Sequence, residues 1–108
     1  MKLWVDDLRP KPIDYDTTAA TVDDAINILR TGEVTDISLD HDLGEGGEAY
    51  AIARWIEQAA YNKEIPRLKW AIHTDNPVGR KNMEMALRNA DKYWDDQELE
   101  EHFDLCLV

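Results

Sequence analysis

The sequence predicts an α/β fold: a short, mostly parallel sheet of four to five strands covered by helices on both faces. Short apolar runs alternate with stretches whose apolar residues recur at helical spacing, the pattern of strands joined by helical crossovers. The runs ahead of Asp6, Asp40 and His73 each stop abruptly at ionisable residues. Right-handed connections then carry the helices over the sheet.

Leu3-Trp4-Val5 is the first strand, closed by Asp6-Asp7, and Pro10-Lys11-Pro12 can continue neither a ladder nor a helix. Tyr15 to Thr18 has the composition of a brief second strand. Thr21 followed by Asp24 resembles a capping box, after which Val22, Ala25, Ile26 and Leu29 recur at helical spacing up to Gly32. Val34 to Leu39 is the next strand, with Ile37 and Leu39 on one face. Leu43-Gly44-Glu45-Gly46-Gly47 makes a flexible turn into a second helix striped by Ala49, Ile52, Ala53, Ile56 and Ala60. Leu68 to Ile72 alternates as a strand ending at His73. Asn76 is a good N-cap with Pro77 at the first helical position, and Met83, Leu87, Ala90 and Trp94 stripe a third helix. The acidic stretch Asp95 to Glu101 reads as a solvated linker or helix end. Phe103, Leu105 and Leu107 then alternate in a last strand, Phe103 to Val108.

At 108 residues the chain bounds one domain, residues 1–108, with one core. Twelve Lys and Arg against 23 Asp and Glu give a formal net charge of -11, which opposes attraction to duplex DNA or an anionic membrane face. A small phosphate-containing ligand stays compatible with that charge where a divalent cation, or a cluster such as Arg9, Arg80 and Lys81, reverses the local field. The single cysteine, Cys106, excludes a disulfide framework or thiolate cluster and reads as a buried reduced thiol. Leu3-Trp4-Val5 is too short for a signal-peptide core and no apolar run spans a bilayer, so a cytoplasmic protein is expected. Trp4, Trp55, Trp70 and Trp94 are spaced for core or rim packing rather than base stacking.

In an open α/β sheet the carboxyl ends of the strands meet along one crevice, so the clusters that close them should converge. Asp6 and Asp7 would point to opposite sides of an extended segment, but chelate one hard cation if the backbone turns there. Their alternative role is a capping or solvated loop pair. Arg9 either pairs with one of them or binds phosphate bidentately. Asp40-His41-Asp42 sets three ionisable groups between an apolar strand and a glycine turn, where clustered carboxylates repel unless a metal offsets them. The plainer reading has Asp42 capping the next helix and His41 exposed. His73-Thr74-Asp75-Asn76-Pro77 sets an imidazole and a hydroxyl just before a helix N-terminus. Free backbone amides there attract phosphate, and Gly79 and Arg80 in the first turn ease and strengthen the contact. Two imidazoles flanking a phosphate serve as acid and base in ester cleavage, whereas a lone histidine there is more often structural. His102, in the acidic stretch, lacks such context and reads as structural or exposed.

Asp6-Asp7, Asp40 and Thr74 at successive strand ends resemble the acidic pair, phosphoacceptor aspartate and hydroxyl position of response-regulator receiver domains. Closer still, Asp6-Asp7-Leu8-Arg9-Pro10, Leu39-Asp40-His41-Asp42-Leu43-Gly44 and His73-Thr74-Asp75-Asn76-Pro77-Val78-Gly79 resemble, in order, the motifs of the cyclic-phosphate-processing receiver-like family. The similarity covers about residues 2 to 94. It implies a receiver-like (flavodoxin-like) three-layer sandwich and a role on cyclic phosphates. It also implies Asp6, Asp7 and Asp40 as metal or catalytic carboxylates, with His41, Asp42, His73, Thr74 and Asn76 completing the site. The last strand carries no lysine of the ordinary receiver kind, and histidines at 41 and 73 are foreign to ordinary receivers. The missing lysine argues against phosphorelay signalling, and the two histidines favour hydrolysis over storage of a phosphoryl group.

The expectation is a phosphoesterase acting on a cyclic phosphate, at an RNA 2′,3′-cyclic phosphate end or in a cyclic nucleotide. Asp6, Asp7, Asp40 and Asp42 would hold Mg²⁺ or Mn²⁺. His41 and His73 would exchange protons, with Asp40 at the reacting centre, and Arg9, Thr74, Asn76 and Arg80 would hold the phosphate. Two alternatives stand beside it: a phospho-accepting receiver-like signalling domain, and a module that binds a phosphate ligand without chemistry.

Overall fold

Four strands, β1 (Lys2–Val5), β2 (Thr17–Ala19), β3 (Asp36–Leu39) and β4 (Lys69–Ile72), form an all-parallel sheet in the order β2-β1-β3-β4. The helices are α1 (Val22–Leu29), α2 (Tyr50–Tyr61) and α3 (Pro77–Leu107), and a 3-10 turn spans Gly44–Gly46. This computed structural model describes the backbone of residues 1–107 and the side chains of residues 1–100. The parallel α/β, receiver-like architecture is as the sequence predicts.

Register decides which side chains meet. Leu3 pairs with Ile37 and Ile37 with Trp70, while Val5 pairs with Leu39 and Leu39 with Ile72. Alternation therefore sends Leu3, Val5, Ile37, Leu39 and Ile72 to one face, where all five are buried. Against them pack Ala25 and Leu29 of α1, Ile52 and Ile56 of α2, and Met83, Leu87 and Trp94 of α3. Each large aliphatic side chain buried this way contributes about 1.5–3 kcal/mol relative to exposure.

The second helical layer expected on the other face is not formed among the described residues. The crossovers β2–α1–β3 and β3–α2–β4 both advance the same way across the sheet, so right-handed connections lay α1 and α2 on the same face, and α3 packs along α2. Only the step from β1 back to β2 runs the other way, and residues 6–16 make it as a loop. That loop sets Tyr15 edge-on to Trp4, with ring centroids 5.3 Å apart, and Asp14 on Lys2 at 3.0 Å. Trp4 and Ser38, paired in register, thus face the Tyr15 loop and the His73 ring instead of a helix.

The helix starts follow the capping residues. Thr21 Oγ1 accepts from the Asp24 amide at 3.1 Å, and Asn76 Oδ1 accepts from the Gly79 amide at 2.9 Å. A cap of this kind stabilises its helix by about 1 kcal/mol. The acidic stretch takes the second of its two expected forms, a continuation of α3, but the helix runs on to Leu107, so the strand expected over Phe103 to Val108 is not formed across 103–107. Arg67 holds Asp95 at 2.7 Å and Glu98 at 2.9 Å, and Gln97 Nε2 donates to Ala60 O at 2.7 Å, which pins α3 alongside α2. Val108 lies outside the described residues, as do the side chains of His102 and Cys106. Among the described residues no helix is long and apolar enough to cross a membrane.

Candidate functional site

β1 and β3 pair in register, so Asp6 and Asp40 leave the sheet at the same edge, and the Asp40 amide donates to Val5 O at 3.0 Å. Asp6 is 4% exposed, and its Oδ1 accepts from the Leu8 and Arg9 amides, both at 2.9 Å. Those two bonds turn the chain immediately after β1, which brings the neighbouring Asp7 to the same side as Asp6. One carboxylate oxygen from each of Asp6, Asp7 and Asp40 lies within 4.8 Å of the others. Asp40 Oδ1 accepts from the His41 amide at 2.8 Å, whereas Asp7 Oδ1 is buried with no hydrogen-bond partner. Gly44, at φ +60, lets the following turn pass close: a β-carbon there would stand 3.1 Å from Asp7 Oδ2.

A buried acceptor with no donor is costly, and three carboxylates so close repel one another. Both costs vanish if a hard divalent cation sits among them, because Mg²⁺ and Mn²⁺ favour oxygen donors. The donor set and the orphaned Asp7 oxygen therefore fit the cation that the sequence suggests. Burial raises the Asp6 carboxyl's affinity for a proton, but the Arg9 and Leu8 amides and His73 outweigh it and hold the group below the ordinary carboxylate range.

His73 stands one step beyond β4, its amide donating to Leu39 O at 2.9 Å. Its ring reaches back across β3 to β1. Nδ1 lies 2.7 Å from Ser38 Oγ, Nε2 lies 3.0 Å from Asp6 Oδ2, and the ring stacks on Trp4 at 3.8 Å between centroids with 7° between planes. An ionised Asp6 only accepts, so the network assigns the proton to Nε2, which donates to Asp6, while the Ser38 hydroxyl donates to Nδ1. Burial depresses the proton affinity of His73 below the ordinary histidine value, and the opposing pull of Asp6 does not cancel it. The imidazole is a neutral brace with both nitrogens engaged.

His41 is placed differently. Its ring lies over Gly79 in the first turn of α3, in the space a β-carbon there would fill, and among the described residues neither of its ring nitrogens is hydrogen-bonded. Pro77 has no amide hydrogen and Asn76 engages the Gly79 amide, so Val78 offers the remaining donor of that turn. Thr74 Oγ1 accepts from the Asn76 amide at 3.3 Å. Arg9 reaches the same rim, donating to His73 O at 3.3 Å and lying 3.7 Å from Asp75. Arg80 instead turns back to the sheet, donating to Ile72 O at 2.7 Å and pairing with Glu84 at 3.4 Å. Asp42 lies outside the acidic trio: the loop folds back on itself, and its carboxylate accepts from the Gly44 amide at 2.9 Å.

The structure thus joins Asp6, Asp7, Asp40 and His73 directly, sets His41, Thr74, Asn76 and Arg9 around the start of α3, and turns Asp42 and Arg80 to local bonds. Sequence reasoning missed Ser38 and Trp4. A serine inside the apolar run Ile37-Ser38-Leu39 was the available signal, since a hydroxyl there needs a partner.

No curated protein and no solved structure gives a significant match to the chain. The family model described as the cyclic-phosphate processing receiver domain matches residues 1–89, a stretch that contains the whole of this strand-end site. The chain belongs to the cyclic-phosphate processing receiver domain family.

Proposed function

We propose that the protein is a phosphoesterase that opens a cyclic phosphate by hydrolysis, on an RNA 2′,3′-cyclic phosphate end or a cyclic nucleotide. The observation that carries this reading is the convergence of Asp6, Asp7 and Asp40, with a buried unpartnered oxygen, beside a free imidazole at a helix start. Asp6, Asp7 and Asp40 would hold Mg²⁺ or Mn²⁺, which when bound neutralises charge on phosphate oxygens. The Val78 amide, the Thr74 hydroxyl and the start of α3 receive the phosphate, and Arg9 guards the rim. Water forms the new P–O bond, the ring P–O bond breaks, and the proton lost by water passes through His41 to the departing sugar oxygen. His73 contributes by fixing Asp6, because neither of its nitrogens is free to meet substrate. A bound phosphate ligand or an RNA end suits a chain of net charge -11 better than a duplex backbone does.

Incubation with 2′,3′-cyclic-phosphate RNA ends and with cyclic nucleotides, with and without Mg²⁺ or Mn²⁺, tests the proposal. Metal-dependent ring opening, lost in Asp7→Asn and in His41→Gln, is the expected result. No turnover across the panel overturns it.

A second reading is favoured by Asp40 itself, a half-buried carboxylate with one oxygen engaged by the His41 amide, in the strand-end position of a phosphoacceptor. Under it, acetyl phosphate adds a phosphoryl mass that Asp40→Asn abolishes. Tight binding of a cyclic nucleotide that stays intact on long incubation would point to a binding module instead.

A further inference from the structure

Two polar side chains are buried among the described residues, Asp6 at 4% and Ser38 at 3% exposure, and His73 bridges them. Ser38 does not belong to the acidic trio, to the start of α3 or to any motif that carries the family resemblance. It sits on the sheet face turned away from the helices, paired with Trp4 on β1 and Ala71 on β4. A buried hydroxyl without a partner costs about 1–3 kcal/mol, so its bond to His73 Nδ1 at 2.7 Å is the condition for its presence. Asp6, which only accepts, sets the His73 proton on Nε2, and the Ser38 hydroxyl donates to the bare Nδ1 and so holds the other edge of the ring.

Trp4 fixes the remaining freedom. Parallel stacking at 7° holds the imidazole plane, and the indole is held in turn by its own Nε1, which donates to Arg9 O at 3.1 Å. Arg9 is also the residue whose amide binds Asp6 Oδ1 at 2.9 Å. The Asp6 carboxylate is therefore clamped at both oxygens by one connected set of groups: Ser38 and His73 at Oδ2, and the 8–9 backbone backed by Trp4 at Oδ1.

We propose that Ser38 and Trp4 are positioning residues that hold His73 as a rigid brace, fixing the Asp6 carboxylate in the orientation in which it shares a cation with Asp7 and Asp40. The proposal rests on the cation reading of the site. Partners of this kind behind a metal ligand typically change metal affinity by about 10- to 100-fold when removed.

The test uses the intact ¹⁵N-labelled chain and its Ser38→Ala and Ser38→Thr variants. Imidazole ¹⁵N shifts report the His73 tautomer and the hydrogen bond at its Nδ1, and Mn²⁺ titration followed by water-proton relaxation reports affinity without any substrate. The expected result is a single Nε2–H tautomer with a hydrogen-bonded Nδ1 in the parent, an Nδ1 resonance shifted by loss of that bond in Ser38→Ala with Mn²⁺ binding weakened about tenfold, and both properties restored by Ser38→Thr. An unchanged Nδ1 resonance in Ser38→Ala overturns the proposal, as does a shifted resonance with unchanged Mn²⁺ affinity. A parent chain that binds no Mn²⁺ while His73 keeps its single tautomer overturns the cation reading, and with it the purpose assigned to the brace, yet still shows the brace in the spectrum. The two failures are thus distinguishable.

Discussion

The imidazole of His41 fills the space that a β-carbon on Gly79 would need. Glycine inside a helix is less favourable than alanine by roughly 0.5–1 kcal/mol, so helix propensity alone favours Gly79→Ala. The contact argues the reverse for function, because the new methyl must push the His41 ring off the start of α3. Turnover of a cyclic phosphate should drop at least about tenfold in Gly79→Ala, in line with the cost of an ångström of misplacement, while far-ultraviolet circular dichroism keeps its helical signal. Full activity in this variant would show that His41 does not act from its present place.

Asp7→Asn separates charge repulsion from cation binding. Without added metal the substitution removes one of three mutually repelling carboxylates, and the unfolding midpoint should rise. In the parent chain, a cation at a hundred times its dissociation constant adds about 2.7 kcal/mol. For a domain of this size that corresponds to a rise of roughly 10 °C or more. Asp7→Asn should lose most of that increment. Scanning calorimetry with and without Mn²⁺ reads both effects, and an equal metal-induced rise in the two proteins would remove Asp7 from the ligand set.

Acid should destabilise the protein in two stages, because Asp6 and His73 are both held below their ordinary values. Above about pH 6.5 His73 is neutral whether folded or not, and its contribution is complete. As pH falls from there toward the lower folded value, the unfolded chain binds a proton that the buried ring resists, and stability declines. Below about pH 4 the unfolded Asp6 takes up a proton before the folded one does, and a second decline begins. Each group contributes a slope of at most about 1.4 kcal/mol per pH unit. Unfolding midpoints measured across this range should show the upper stage vanish in His73→Gln and persist in His41→Gln.

Strand ends and helix caps were legible because they depend on local chemistry. Asp6, Asp40 and His73 close apolar runs, and Thr21 and Asn76 cap the helices they precede. The single helical layer was also within reach: no helix lies between β1 and β2, and connections of one hand that advance in one direction must share a face. The long α3 was not. Gln97, Glu98, Leu99 and Glu100 are good helix formers, yet the acidic run reads equally as a solvated linker or a helix end until Arg67 is seen to gather Asp95 and Glu98. Six alternating residues after it are too few to distinguish strand from helix. At the site, Ser38 and Trp4 meet His73 only through strand register, and Asp42 leaves the trio only because the loop after Asp40 folds back, so neither outcome can be read from spacing.

Two arginines that look alike in the sequence should behave differently. Arg9 is about half exposed at the rim, pairing with a fully exposed Asp75, so its side chain contributes little to folding. Arg9→Ala keeps the amide that binds Asp6 and removes only the guanidinium. Stability should change by less than about 0.5 kcal/mol, whereas KM for a cyclic phosphate should rise several-fold with kcat nearly constant, the signature of lost ground-state binding. Arg80 ties the first turn of α3 to the end of β4 through Ile72 O. Removing it should cost about 1–2 kcal/mol of stability and loosen the helix start that carries Val78 and the His41 platform, lowering kcat more than it raises KM. Steady-state kinetics and denaturant unfolding on the two alanine variants give the comparison, and a KM effect confined to Arg80→Ala would reverse the assignment, making Arg80 the phosphate ligand and Arg9 a bystander.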